Sequence, residues 1–295
     1  MSDDPNRSAV GVDAVARESL IISYRSLRLG LVLAVGMLAV SFVAERIDAG
    51  YLRGSISSYF YSPVRSIFVG ALLVIGFSLV VIHVRHRWEE TFLTLGGMLA
   101  IIVALVPTGI PVCEDGELPG TSPNIRCRPE GAPDELPGWV VTGVWNNVLA
   151  LVVVGLVALV LTKRFAPKRT GPSVNELNLV LAVYAALLLT GGLLYMAWEG
   201  FREHTHIVAA FLTFGCVGVT AAMNGWFRSE EENPKRFRDI YRGVVIGMVA
   251  AVVVGLVLVA ADVEDAIFWL EAAELVLFAT YWLAQTSQHW DERTA

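Results

Sequence analysis

The most regular feature of the chain is a series of apolar stretches separated by short polar segments. Each stretch has about the length that a helix needs to cross a bilayer, roughly 20 predominantly apolar residues. Because backbone polar groups must be paired internally in lipid, helices are predicted even where valine runs would favour strands in water. Eight spans are predicted, at residues 27–44, 64–82, 91–110, 140–161, 177–195, 206–227, 243–261 and 266–285.

The composition supports this all-α, polytopic transmembrane bundle. Of the 295 residues, 55% are hydrophobic and 17% are charged, whereas a soluble domain has about 45–50% apolar and about 25% charged residues. The net charge is −6 and no basic segment stands out. This composition argues against a soluble enzyme and a nucleic-acid-binding protein, and it makes the lipid bilayer the first expected partner.

The distribution of basic residues predicts the orientation. Sixteen of the 22 Lys and Arg residues lie in or beside one set of connections, which includes both termini. The positive-inside rule therefore predicts that both termini are cytoplasmic, which requires an even number of spans. The expected organisation is an N-terminal tail (1–26), a membrane domain (27–285) and a C-terminal tail (286–295), in the cell membrane of a bacterium.

The long connection at residues 111–138 is predicted to be extracytoplasmic, acidic and irregular, because it is rich in proline. It contains Cys113 and Cys127, 14 positions apart. On an oxidising side of the membrane these residues are expected to form a disulfide, and two free thiols are the alternative. Glycines at 96–97, at 191–192 and at Gly247 and Gly255 predict close helix approach.

Polar residues near the predicted outer ends of the spans are the first candidates for a site. Glu45 and Arg65 flank a segment rich in Ser and Tyr, residues 55–62. His204 and His206 begin span six, but residues two apart on a helix point to nearly opposite faces. The usual helical metal spacing is absent, so no metal site is predicted. The alternative for each of these residues is an ordinary interfacial role.

Two acidic residues lie inside span eight. Glu271 and Glu274 are expected roughly 7 and 12 Å from its outer end, at 1.5 Å per residue. An intramembrane acid costs about 2.5–3.5 kcal/mol on insertion scales and usually faces a polar interior. The alternative is a structural ion pair or hydrogen bond to another helix.

Both acids belong to a polar stripe on span eight, and span six has a similar stripe. The members are Glu271, Glu274, Tyr281 and Gln285 on span eight, and His206, Thr213, Thr220 and Asn224 on span six. Such stripes should face away from lipid, so the two spans are predicted to share a polar interior. His206 and Glu271 could meet near its outer end.

Three segments, residues 55–70, 203–211 and 270–286, together resemble an uncharacterised family of bacterial multi-pass membrane proteins. A weaker resemblance is to the seven-span hydrolases that include alkaline ceramidases and progestin/adiponectin receptors. That resemblance implies an intramembrane zinc held by His residues with a Ser and an Asp. The corresponding candidates are Ser57 or Ser58, His204 or His206, and Glu271; the HxxxH pair of those hydrolases is absent.

Three hypotheses follow for the function. The first is an integral membrane protein with an outward-facing polar pocket that binds or senses a small molecule or a lipid, or serves as an accessory protein. The second is a metal-dependent intramembrane lipid hydrolase, and the third is a proton-coupled transporter that uses Glu271 and Glu274. The chain contains no phosphate-binding loop or nucleophile elbow, so motifs assign neither a cofactor nor a reaction.

Overall fold

The computed structural model describes residues 5–84, 86–113, 120–121, 124–131, 137–165 and 173–290, without the side chains at 5–17, 20, 121, 173–181 and 203. About 80% of the chain is helical, which confirms the all-α prediction. The helices are α1 (Pro5–Ala49), α2 (Arg65–Val81), α3 (Arg87–Leu105), α4 (Gly138–Phe165), α5 (Ser173–Ala197), α6 (Glu199–Trp226), α7 (Lys235–Ala260) and α8 (Ala266–Gln288). A 3-10 turn, Ser57–Tyr61, lies between α1 and α2. A two-stranded antiparallel sheet pairs β1 (Gly120–Thr121) with β2 (Asn124–Ile125).

Each predicted span overlaps one of these helices. Within the described residues, six helices are long and apolar enough to cross a membrane, and they belong to α1, α3, α4, α6, α7 and α8. The apolar helix α2 has 17 residues, and the apolar part of α5, Ala182–Ala197, is also shorter than a full span. The helix α1 begins at Pro5, so most of the predicted N-terminal tail is helical. Proline suits that first helical position because its missing N–H would have no partner there.

The chain forms two compact units. The first comprises Met1–Ile101 and Ala210–Ala295, and the second comprises Ile102–Ala209. The first unit contains α1, α2, α7 and α8 together with most of α3 and α6. Its largest fully buried side chains are aromatic: Trp282, Tyr59, Tyr61, Tyr241, Tyr281, Phe60 and Phe68.

Glycines allow close helix packing in the first unit, as the sequence predicted. A Cβ atom placed on Gly97 of α3 would lie 2.5 Å from the carbonyl oxygen of Gly76 on α2. On α7, Cβ atoms at Gly247 and Gly255 would each lie 2.8 Å from a leucine side chain of α8. These contacts bring helix backbones together, which is the usual role of small residues in membrane bundles.

The second unit contains α4, α5 and the connection between α3 and α4. Cys113 and Cys127 are joined by a disulfide in that connection. Beside it, the backbone N–H of Cys113 donates to the carbonyl of Arg128, and that of Arg128 donates to the carbonyl of Pro111, both at 2.8 Å. Of the predicted glycine pair 191–192, Gly192 approaches α4 and Gly191 has no neighbour within 4 Å of an added Cβ atom.

Candidate functional site

The first turn of α8 and the segment before α2 hold each other through reciprocal hydrogen bonds. The backbone N–H of Phe268 donates to the carbonyl of Gly54 at 3.0 Å. In the other direction, the Glu271 carboxylate accepts the N–H of Ile56 at 2.5 Å and the hydroxyl of Ser57 at 2.9 Å. A longer contact of 3.4 Å comes from the N–H of Ser57.

These donors stand at the start of the 3-10 turn Ser57–Tyr61, where backbone N–H groups have no partner within the turn. Glu271 therefore caps that turn from a distant helix. Hydrogen bonds to a carboxylate are stronger than those between neutral groups. The carboxylate has a structural task, which corresponds to the hydrogen-bonded alternative considered for it from the sequence.

A second acid–base pair lies beside the same turn. Glu45 near the end of α1 lies 3.8 Å from the guanidinium of Arg53, and both side chains are buried. Arg53 also lies 5.7 Å from the ring centroid of Tyr59. Burial raises the pKa of the Tyr59 phenol, and interactions with Arg53 partly offset that effect. Nothing in the sequence distinguished Arg53 from other arginines, because arginine is ordinary in a loop.

The guanidinium of Arg65 stacks 3.9 Å from the ring centroid of Phe60, another residue of the turn. Three of the predicted site residues, Glu45, Arg65 and Glu271, are therefore arranged around the segment from Arg53 to Tyr61. The sequence predicted these residues as candidates for one polar region, and the first unit places them in one neighbourhood.

Glu274, one turn further into α8, has a very different environment. Its side chain is 4% exposed, and both carboxylate oxygens are buried without a hydrogen-bond partner among the described residues. Removing a charged carboxylate from water without a compensating partner costs several kcal/mol or more. Such a group requires a proton or a cationic partner. Among the acids described in this region, Glu45 and Glu271 have partners, whereas both oxygens of Glu274 lack a hydrogen-bond donor within the described residues.

The two histidines lie in the second unit and point to different surroundings. His204 is exposed, and its Nδ1 lies 2.8 Å from the carbonyl of Gly200 in the same helix. His206 is buried, and its Nδ1 lies 2.5 Å from the carbonyl of Val106. Since a carbonyl can only accept, Nδ1 of His206 carries the hydrogen and Nε2 offers a lone pair. That Nε2 has no hydrogen-bond partner within the described part of the chain.

The predicted meeting of His206 with Glu271 would join the two units, and it stays a prediction. Across the ranges that the structure describes, no three His, Cys, Asp or Glu side chains are grouped so that they could hold a metal ion.

A third acid, Glu89 in the first turn of α3, is the centre of a buried network at the other end of α8. Its Oε1 accepts the side-chain amide of Asn224 at 2.7 Å and lies 3.4 Å from the Tyr281 hydroxyl. Its Oε2 accepts the guanidinium of Arg228 at 3.0 Å. Asn224 and Tyr281 belong to the two polar stripes of α6 and α8, so the stripes meet at a carboxylate contributed by α3.

The network extends to α7 and to the connection before it. The Asn233 amide donates to the carbonyl of Asn224 at 2.6 Å, and the Gln288 amide donates to Oδ1 of Asn233 at 2.5 Å. The Tyr241 hydroxyl donates to Oε1 of Gln288 at 2.6 Å. Sequence reasoning missed Glu89. The available signal was an acid at the start of a predicted span, on the side where most basic residues lie and could pair with it.

Comparison of the chain with protein-family models, with curated proteins and with solved structures finds no match.

Proposed function

We propose that the protein is an integral membrane protein that binds a proton or a small cationic group at Glu274, in a binding, sensing or accessory role. The observation that carries this proposal is the buried pair of Glu274 oxygens without a hydrogen-bond donor among the described residues. Intramembrane acids are costly and are usually retained for a function. The neighbouring acids Glu271 and Glu89 both have their donors, and Glu274 differs from them in this respect.

The orientation is part of the proposal. We infer eight spans with both termini cytoplasmic in a bacterial cell membrane, and membership of the multi-pass family that residues 55–70, 203–211 and 270–286 resemble. The helices α2 and α5 support the two additional spans, and the excess of basic residues beside the termini supports the orientation. Reporter fusions that are active on one side of the membrane, placed at each terminus, test it: the two ends should report the same, cytoplasmic side.

In this orientation we expect Glu274 to be reached from outside past the 3-10 turn Ser57–Tyr61. Glu271 holds the start of that turn, and Arg65 stacks on its Phe60. These contacts position the turn at the outer end of α8. The expected pocket is outward-facing. The Glu274 carboxyl group inside it is neutral when it holds a proton and negatively charged when it does not.

A proton-coupled transporter is the second candidate, and one observation favours it. The polar stripe of α8 includes Tyr281, which lies about 10 Å beyond Glu274 at 1.5 Å per residue with the buried Phe278 between them. The Tyr281 hydroxyl lies 3.4 Å from the Glu89 carboxylate. A protein that only binds its ligand needs Glu274 but not the connection to Tyr281 and Glu89. No observation on the described residues favours a metal-dependent hydrolase, since Ser57 and Glu271 are engaged with each other.

The proposal is tested with dicyclohexylcarbodiimide, an apolar reagent that modifies protonated carboxyl groups within membranes. Mass spectrometry of the labelled protein should find the adduct on Glu274 and none in Glu274→Gln. The exposed Glu264 before α8 provides the control variant, Glu264→Gln, which should be labelled like the wild type. Absence of an adduct at Glu274 in the folded wild type, both as isolated and after dialysis to remove a bound cation, contradicts the proposal.

Proton flux into liposomes separates the two candidates. Protein reconstituted with an internal pH dye should show no flux if it only binds. Flux that depends on Glu274, and that Glu264→Gln leaves unchanged, would select the transporter.

A further inference from the structure

A shallow open groove lies between the middle of α1 and the C-terminal end of α8, far along α8 from Glu274. It is lined by Leu29 on α1 and by Leu283, Thr286, Ser287 and Trp290 at the end of α8. Leu29 and Leu283 are 37% and 48% exposed. The groove therefore has apolar sides along two candidate membrane spans and hydroxyl groups at one end.

Beside this groove lies a guanidinium that has no carboxylate within ion-pair distance among the residues the structure describes. Arg25 stacks 4.8 Å from the ring centroid of Trp290 and donates a hydrogen bond to the Trp290 carbonyl. One turn along α1, the buried Arg28 donates to the carbonyl of Gln285 at 2.9 Å and to the hydroxyl of Tyr24 at 2.6 Å. Within the described ranges neither arginine has a carboxylate in ion-pair distance. The two guanidinium groups therefore place positive charge beside the groove.

We propose that this groove binds an anionic phospholipid. The phosphate would lie at Arg25 and the exposed Ser287 hydroxyl, and one acyl chain would follow Leu29 and Leu283. Basic residues between membrane helices attract anionic headgroups, and tryptophan is typical of the depth where headgroups begin. The apolar sides of the groove match an acyl chain, which a phospholipid has and free phosphate lacks.

In the proposed orientation the lipid belongs to the cytoplasmic leaflet, but the inference does not depend on Glu274. It requires only that α1 and α8, which contact each other in the first unit, lie in the membrane together. The positive charge at this end is fixed by hydrogen bonds to carbonyls of the last turns of α8, a favourable position for cations near a helix C-terminus.

Native mass spectrometry of the full chain in detergent, titrated with phosphatidylglycerol or phosphatidylcholine, tests the inference. The wild type should retain phosphatidylglycerol preferentially. Arg25→Gln should weaken that binding about fivefold, the equivalent of about 1 kcal/mol for one basic contact. Arg25→Lys should retain most of it. Arg46→Gln, which removes an exposed arginine at the other end of α1, should have no effect.

A second variant addresses the groove itself, since Arg25 also contacts the end of α8. Leu283→Trp should fill the groove, leave Arg25 in place, and lower binding of phosphatidylglycerol to a similar extent. Glycerol phosphate should not compete with the lipid at equal concentration. Equal binding of the two lipids by the wild type, or unchanged binding in both Arg25→Gln and Leu283→Trp, overturns the inference. Competition by glycerol phosphate would also overturn it, by assigning the site to phosphate.

Discussion

The carboxylate of Glu271 lies 2.5 Å from the backbone nitrogen of Ile56, a residue 215 positions earlier in the chain. With the return bond from the N–H of Phe268 to the carbonyl of Gly54, it joins the start of α8 to the segment that precedes α2. This relationship explains an acid inside a candidate membrane span without assigning it any chemistry.

Replacing Glu271 with Gln should therefore destabilise the segment at residues 56–61 more than it alters a bound ligand. A glutamine keeps one acceptor oxygen but loses the charge, and hydrogen bonds to charged groups contribute about 1.5–3 kcal/mol. We expect a lower thermal unfolding midpoint in detergent and faster hydrogen exchange at residues 56–61. An unchanged midpoint together with unchanged exchange would show that the cap contributes nothing.

The pair Glu89–Arg228 should be strongly coupled. Removing one partner from a buried ion pair costs about 3–5 kcal/mol, because the other charge is left unpaired. Glu89→Gln and Arg228→Met should each lower the free energy of unfolding, and the double variant should lose clearly less than the sum. The surface pair Glu230–Arg238, in which Glu230 is 75% exposed, provides the control, and Glu230→Gln should cost under about 1 kcal/mol. Strict additivity of the two changes at Glu89 and Arg228 would argue against coupling.

The contact between α2 and α3 should not tolerate a side chain at Gly97. An added Cβ would meet the Gly76 carbonyl at 2.5 Å, and backbone cannot move as a flexible side chain can. Gly97→Ala should cost about 1–3 kcal/mol through overpacking. The matched control is Gly36→Ala on α1, where nothing lies within 4 Å; it should be neutral or slightly stabilising, because alanine favours the helix. Equal unfolding midpoints for the two variants would contradict this account of the contact.

The disulfide between Cys113 and Cys127 should protect both thiols from alkylation until a reductant is added. Closing a loop of this length contributes roughly 3 kcal/mol in the chain-entropy model, so reduction should also lower the thermal midpoint. Mass spectrometry after alkylation, with and without reductant, measures the alkylated fraction of Cys113 and of Cys127. The buried Cys216 is the internal control and should react only after denaturation. Alkylation of Cys113 in the folded, unreduced protein would exclude the bridge.

Hydrophobic patterning was enough to place the helices, because lipid allows few alternatives to a helix for a long apolar stretch. The same reasoning identified Glu271 and Glu274 by their depth alone and could not separate them. What separates them is a loop folded back from far earlier in the chain, which supplies donors to Glu271 and none to Glu274.

Glu89 was missed for a related reason. An acid in the first turn of a helix is favoured by the helix dipole, so Glu89 looked ordinary in the sequence. Its importance comes from Asn224 and Arg228, more than 130 positions later. Periodicity predicted the polar faces of α6 and α8, but it carries no information about which acid from a third helix they meet.

The most direct test of the central claim is infrared spectroscopy of the carboxyl stretch of the purified protein in lipid nanodiscs at neutral pH. We predict an absorption band of a protonated carboxyl group in a dry environment that is lost in Glu274→Gln and retained in Glu271→Gln and Glu264→Gln. If a cation occupies the site instead, the band should be absent in the wild type as isolated and appear when the cation is removed by dialysis. A spectrum that is the same for the wild type and Glu274→Gln under both conditions would contradict the claim that Glu274 holds a proton or a cation.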